Sequence, residues 1–308
     1  MNIIVVGAGA VGGYFGGKIA KHGFPVTFLV RQKRYEELQE KGLIIKSVHG
    51  DFSLKPTLAL DVNEIENPDL VIVAIKNYHL DEAFPQLKAL VDKGAKILPL
   101  LNGIKHLEKF IDEFGEKNVI GGLCSIETTL NSHGEIVQTS RLQDIVFGPI
   151  ASIGEEALLF EFKQILESSS IPHTLSDYII GEMWKKFIFI TTLSGITATL
   201  RQPIGVALAD QVTLDFVKSL ISEVCQIAKV KGIRLPENIE ELTLTRIKSL
   251  SPKMTASMHR DLEKGLPLEL DDLQGYALTV AKEYQLETPC LQSVYALLHP
   301  YKNGRITQ

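Results

Sequence analysis

Cysteine, long apolar runs and an excess of basic charge are all scarce in this chain. Three cysteines occur, Cys124, Cys225 and Cys290, far apart and in no CxxC or Cys/His spacing. That pattern argues against a disulfide framework and a structural zinc site, and no other ligand cluster stands out, so no metal is expected. Three reduced, buried thiols in a reducing compartment are the expectation. The longest weakly polar stretch, Phe187 to Leu200, is flanked by Lys186 and Arg201. It falls short of the ~20 residues a membrane span requires and reads as a core helix. The formal net charge is −5 with no basic stripe, which argues against a nucleic-acid partner. Met1-Asn2 leads straight into an apolar run ending in glycines, without a basic start or a cleavage-like site. A cytoplasmic protein is expected.

A chain of 308 residues is too long for one typical core and predicts two domains. The first part alternates short apolar runs with helical patterns. Ile3–Val6, Pro25–Val30, Asp69–Ile75, Lys96–Leu101 and Val119–Leu123 read as strands, and 10–22, 34–41 and 79–90 as helices. Buried strands bounded by helices, without period-two alternation, indicate a parallel sheet covered on both faces. Ser125–Leu130, Glu135–Thr139 and Asp144–Phe147 read as short strands forming an antiparallel extension of that sheet. A helix over 155–167 and an edge strand over 172–175 complete this part. From about Asp177 strand signals stop. Helical periods follow at 181–200, 213–231, 238–250, 253–264, 269–284 and 288–298, with stops at Gly232, Pro236, Gly265-Leu266-Pro267 and Pro289. The expected architecture is α/β, a Rossmann-type doubly wound sheet over 1–176, followed by an all-helical domain over 177–308.

Gly7-Ala8-Gly9-Ala10-Val11-Gly12 matches G-x-G-x-x-G directly after the first strand and at the start of a helix. In that context Gly7 permits the tight turn, Gly9 lets the backbone approach a pyrophosphate, and Gly12 packs the helix on the strand. The free N–H groups at the helix start then face the phosphates. The second strand ends in Arg31, where an acid would bind the ribose 2′-hydroxyl of NAD. A planar guanidinium suits a 2′-phosphate, and Gln32, Lys33 and Arg34 add donors and positive charge, so NADPH/NADP is the expected cofactor. A solvated basic loop is the competing reading of this segment.

Lys76 follows one strand and Asn102-Gly103 the next. Ligands of open α/β sheets bind beyond the carboxyl ends of strands, so Lys76 is a candidate for phosphate or ribose and Asn102 for ribose or substrate. Taken singly, either residue suits a loop or helix cap equally well. Further along, Trp184-Lys185-Lys186 puts a lysine on the apolar flank of a buried helix. Such a lysine either serves a site or reaches out to solvent. Spacing does not choose between these, nor between Lys186 and Lys185. From Lys186 the same face continues to Ile190 and Ser194. The acid cluster Glu269-Leu270-Asp271-Asp272 reads as the charged start of a helix.

Together these motifs, in this order over about residues 3–290, resemble the ketopantoate reductase (2-dehydropantoate 2-reductase) family. The glycine motif is common to many dehydrogenases; its combination with Trp184-x-Lys186 and Glu269-x-Asp271 is far more specific. The resemblance implies NADPH-dependent reduction of a 2-oxo acid, ketopantoate, to pantoate on the route to pantothenate and coenzyme A. It implies that Lys186 is the catalytic proton donor and that Glu269 contacts both cofactor and active site. Asn102 would stand at the cofactor–substrate junction and Ser257 would contact substrate. Members usually carry asparagines four and eight residues after the lysine. Here those positions are Ile190 and Ser194, with Thr191, Thr192 and Thr197 as neighbouring hydroxyls. This departure leaves a paralogous reductase of a more apolar 2-oxo acid, or a non-catalytic NADP(H)-binding regulator, as alternatives. Retention of Lys186 and Glu269 speaks against the regulator. Substrate closure between the domains and a possible homodimer complete the expectations.

Overall fold

The computed structural model describes residues 1–150 and 156–304. The chain divides into two compact units, Met1–Leu101 with Leu107–Ile179, and Asn102–His106 with Ile180–Gln308. The elements of the first part are β1 (Ile3–Val6), α1 (Ala10–Lys21), β2 (Val26–Leu29), α2 (Gln32–Lys41), β3 (Leu43–Ser47), β4 (Phe52–Leu54) and β5 (Thr57–Ala59). There follow β6 (Leu70–Val73), α3 (Leu80–Asp92), β7 (Lys96–Pro99), α4 (Lys105–Phe114), β8 (Ile120–Leu130), β9 (Ile136–Pro149), α5 (Glu156–Ser168) and β10 (His173–Leu175).

Five parallel strands form the first sheet in the order β5-β2-β1-β6-β7. All four residues of β1 are buried, as a central strand covered on both faces demands. Strand order reverses beside β1, between β1 and β6, which is where such sheets bind ligands.

A second sheet, β10-β9-β3-β4 with β8 also on β9, corrects the expectation of short strands extending the first. The proposed breaks around Asn131–Gly134 and Ser140-Arg141 behave differently. The first is a true hairpin tip; the second lies inside β9, which runs for 14 residues and pairs with β8 through Ile136–Gln138 and Gln143–Pro149, leaving 139–142 as an unpaired bulge. An irregularity between Ile126 and Thr128 absorbs the disturbance. Helix α1 lies between the two sheets. A Cβ at Gly16 would come within 2.8 Å of Phe28 and Val5 in the first sheet, and one at Gly17 within 2.8 Å of Ile45 in the second. The glycines of α1 beyond the turn thus serve close packing on two faces.

The second part comprises α6 (Ile179–Leu200), α7 (Ile204–Ala209), α8 (Gln211–Val230), α9 (Ile239–Lys248), α10 (Ser257–Lys264), α11 (Gln274–Glu283) and α12 (Pro289–Leu298). Helix α12 opens on Pro289, and its next N–H groups, from Cys290 and Leu291, donate to the Glu223 carboxylate of α8 at 2.9 and 2.8 Å. A buried carboxylate thus caps the positive end of a helix. Two helix starts differ from expectation. Helix α10 begins at Ser257 rather than Lys253. Glu269 precedes α11 in a turn, its carbonyl accepting from the Leu273 N–H at 3.2 Å, and the helix proper starts at Gln274. The expected helix over 155–167 is α5, and Glu155 lies outside the described residues.

Candidate active site

The glycine turn is built where β1 stops. Gly7 has φ +98, and a Cβ there would lie 2.6 Å from Ile75 and 2.9 Å from the Ala74 carbonyl, so the turn packs directly on the end of β6. A Cβ on Gly12 would strike the Gly7 carbonyl. Gly9 is different: a Cβ there would meet nothing within 4 Å. It is the N-cap of α1, with no side-chain cap and no acid in the first turn. The N–H groups at this end are left for an external acceptor, and open space on Gly9 lets a bulky anion approach. Ala8 is buried, while Ala10 and Val11 remain partly exposed. A dinucleotide pyrophosphate fits this cradle.

Arg31 stands at the end of β2 as the N-cap residue of α2. Its side chain is 63% exposed and pairs at 2.6 Å with Glu82, itself 70% exposed. An exposed pair of this kind contributes ~0–1 kcal/mol and is readily exchanged for a phosphate. Lys76 lies just beyond β6 at the same edge of the sheet as the glycine turn, partly buried, leading into the short turn of Asn77–His79.

In the second unit, sequence-distant candidates converge. Asn102 Nδ2 donates to Glu269 Oε2 at 3.3 Å, and Glu269 is only 4% exposed. Lys105 Nζ lies 3.7 Å from Asp272 Oδ1. Gly103 (φ +80) permits this approach, since a Cβ would sit 2.8 Å from the Asp272 carbonyl. Burial raises the Asp272 carboxyl pKa, and the charges of Glu269 and Asp271 raise it further against the opposing pull of Lys105. His106, 3% exposed, is pushed down to about 3 by burial, with the Lys186 cation adding to the shift. The imidazole beside Lys186 is therefore neutral at physiological pH and adds no competing positive charge.

Helix α6 presents Lys186 on a partly exposed stripe with Glu182, Lys185, Phe189 and Ile190. Its opposite side is pinned: Trp184 packs edge-on against Phe187 (5.3 Å), and Phe187 against Tyr276 of α11 (5.9 Å). Lys185 Nζ is held by Glu182 at 2.6 Å. Of the two lysines, Lys185 is thus tied into a helix-surface ion pair, and Lys186 is the one close to His106. Past Ile190 the helix is buried on every side through Ala198. Ser194 is 1% exposed; its hydroxyl donates to the Ile190 carbonyl at 2.6 Å and accepts from Gln274 Nε2 at 3.3 Å. Thr191, Thr192 and Thr197 are fully buried as well. Ser257, partly buried, opens α10, where the preceding Ala256 N–H donates to Thr197 Oγ1 at 3.4 Å. The structure thus brings Asn102 to Glu269 and His106 to Lys186, and encloses Ser194. Sequence reading missed His106, Lys105 and Gln274. Their only signal was position, just after a strand-end asparagine or an acid cluster.

The chain matches the family model described as "Ketopantoate reductase PanE/ApbA" over residues 3–152 and its C-terminal counterpart over 178–302. The chain belongs to the ketopantoate reductase family. It is accordingly an oxidoreductase acting on a CH–OH/C=O group. Within this family it is 36% identical to the uncharacterized oxidoreductase YkpB of Bacillus subtilis (strain 168), over 98% of this chain and 99% of that protein. It is 29% identical to a 2-dehydropantoate 2-reductase of Nostoc sp. (strain PCC 7120 / SAG 25.82 / UTEX 2576), covering 98% and 95% of the two chains. A solved structure of 2-dehydropantoate 2-reductase from Geobacter metallireducens GS-15 superimposes with a TM-score of 0.89 at 26% identity, over 97% of this chain and 99% of that one.

Proposed function

We propose that this ketopantoate reductase family member reduces the C2 carbonyl of 2-dehydropantoate to give pantoate, using NADPH, in the cytoplasm. The observation that carries the reading is the convergence in one unit of Asn102 on Glu269 and of His106 on Lys186. These residues come from a strand-end loop, a helix face and a turn that are remote in sequence. NADPH, when bound, supplies the hydride. The backbone of Gly7, Ala8, Gly9, Ala10, Val11 and Gly12 would hold its pyrophosphate. Arg31 would hold the 2′-phosphate, and Lys76 and Asn102 the nearer ribose.

The chain's own chemistry lies at the carbonyl oxygen. Negative charge grows there as C2 is reduced, and the Lys186 ammonium both stabilises it and donates the proton, becoming a neutral amine. A neutral His106 leaves that ammonium as the local cation. Glu269 fixes the orientation of the Asn102 amide, and Ser257 offers a hydroxyl to the substrate carboxylate.

A second reading, reduction of a more apolar 2-oxo acid, is favoured by Ile190. It is the partly exposed neighbour of Lys186 along α6, and the Ser194 hydroxyl beyond it is already engaged by Ile190 and Gln274. A site without a donor for a substrate hydroxyl gives up much of its discrimination for that group. Steady-state NADPH oxidation across a panel of 2-oxo acids tests both. Fastest turnover with 2-dehydropantoate supports the first, and fastest turnover with an unhydroxylated branched acid supports the second. NADPH binding without turnover of any acid contradicts both.

A further inference from the structure

Arg34 ties together three separate parts of the first unit. Its Nε donates to the Ala8 carbonyl at 3.0 Å, and its Nη1 donates to the Gly134 carbonyl at 3.0 Å and to Glu37 Oε2 at 3.1 Å. The side chain is only 16% exposed. The hairpin tip between β8 and β9 reaches it because residue 134 is glycine: φ is +79, and a Cβ would lie 3.1 Å from Nη1. The bond to Ala8 falls inside the glycine turn itself. A trans peptide unit is planar, so its C=O and N–H point in opposite directions. Holding the Ala8 carbonyl toward α2 therefore aims the Gly9 N–H the other way. Flanked by Gly7 and Gly9, this peptide has unusual rotational freedom unless something fixes it.

We propose that Arg34 is a positioning residue that locks the Ala8–Gly9 peptide with its N–H presented to the cofactor's pyrophosphate. The inference rests on the dinucleotide reading above and extends it. It separates the roles of two arginines: Arg34 acts on the turn and so on any dinucleotide, whereas Arg31, at the surface, discriminates the 2′-phosphate. The hydrogen bonds of Arg34 run to the Ala8 and Gly134 carbonyls and to Glu37.

The test is a titration of wild type, Arg34→Met, Arg34→Lys and Arg31→Ala with NADPH and, separately, with NADH. Arg34→Met is expected to weaken both cofactors by a common factor of about ten, the loss of one hydrogen bond from a charged donor. The cofactor KM should rise far more than kcat at saturation falls. Arg34→Lys, keeping the charge and one donor, should fall between. Arg31→Ala should weaken NADPH and spare NADH. Unchanged affinities in Arg34→Met, or a loss confined to NADPH, overturn the proposal. Should Arg34→Met not fold, Arg34→Lys carries the same readout, and absence of a common loss overturns it equally. Wild-type protein that binds neither dinucleotide instead refutes the functional reading itself.

Discussion

Asn102 and Glu269, 167 residues apart in sequence, meet through a 3.3 Å hydrogen bond from the amide to the buried carboxylate. Within the second unit, the contact couples the segment Asn102–His106 to the turn before α11. A neutral amide donates to that carboxylate; a second carboxylate in its place would repel it. Asn102→Asp is expected to lower kcat/KM at neutral pH by about 10–100-fold, the range for a lost hydrogen bond to a charge. It should recover partly at lower pH, where the pair shares a proton. A pH–rate profile with the wild-type shape in this variant contradicts the pairing.

Lys186→Ala is expected to cut kcat by about 10²–10⁴-fold, the usual contribution of a positioned general acid. NADPH affinity should stay within a few fold. Lys186→Arg should not rescue turnover, because a guanidinium holds its proton far too tightly to donate it. Single-turnover rates of the two variants, measured beside a binding titration, decide the matter. A near-normal rate in either removes Lys186 from its role.

His106 makes stability pH-dependent. Its ordinary value of 6.5 falls to about 3 in the fold, through burial and then the Lys186 charge. Above pH 6.5 the ring is neutral in folded and unfolded chains alike, and its contribution is complete. Between 6.5 and about 3 the unfolded chain takes up a proton that the fold refuses, so stability is lost as pH falls. The slope should approach about 1.4 kcal/mol per pH unit in that window. Urea unfolding from pH 7 to 4 should show this slope in wild type and a flatter one in His106→Asn. Identical slopes mean that His106 titrates alike in the folded and unfolded chains.

Glu223 holds the start of α12 from a different helix. Glu223→Ala leaves two backbone N–H groups, those of Cys290 and Leu291, without their acceptor. A loss of about 2–3 kcal/mol is expected, with little change in cofactor affinity. Chemical denaturation of the variant measures it, and a loss below ~0.5 kcal/mol means that water replaces the cap.

Much of the first sheet was legible because β1 and β6 are short and wholly apolar, β7 is apolar after Lys96, and all three are followed by helices. The glycine turn was legible because its chemistry demands a fixed spacing. The second sheet was not. β4 is a three-residue strand with a serine at its centre, and Ser140-Arg141 looks like a turn because it falls in the four residues of β9, 139–142, that bulge out of the pairing with β8. Glu269 read as a helix start because acids favour that position; the turn closed by Leu273 delays the helix to Gln274. On α6, Ser194 follows Lys186 by two turns and is enclosed. That Gln274 covers it is a tertiary fact with no local signature. Arg34 read only as one of several charges after β2, since its reach to Ala8 depends on how α2 turns back over the glycine loop.

Hydride delivery to a 2-oxo carbon with protonation from Lys186 is the step proposed for this site. Incubation with NADPH carrying deuterium at the transferring position, and mass analysis of the product from 2-dehydropantoate or another 2-oxo acid, tests it most directly. The account predicts a 2-hydroxy acid bearing one deuterium on C2, formed by wild type and nearly absent with Lys186→Ala. A product without label, or equal labelled product from both proteins, contradicts it.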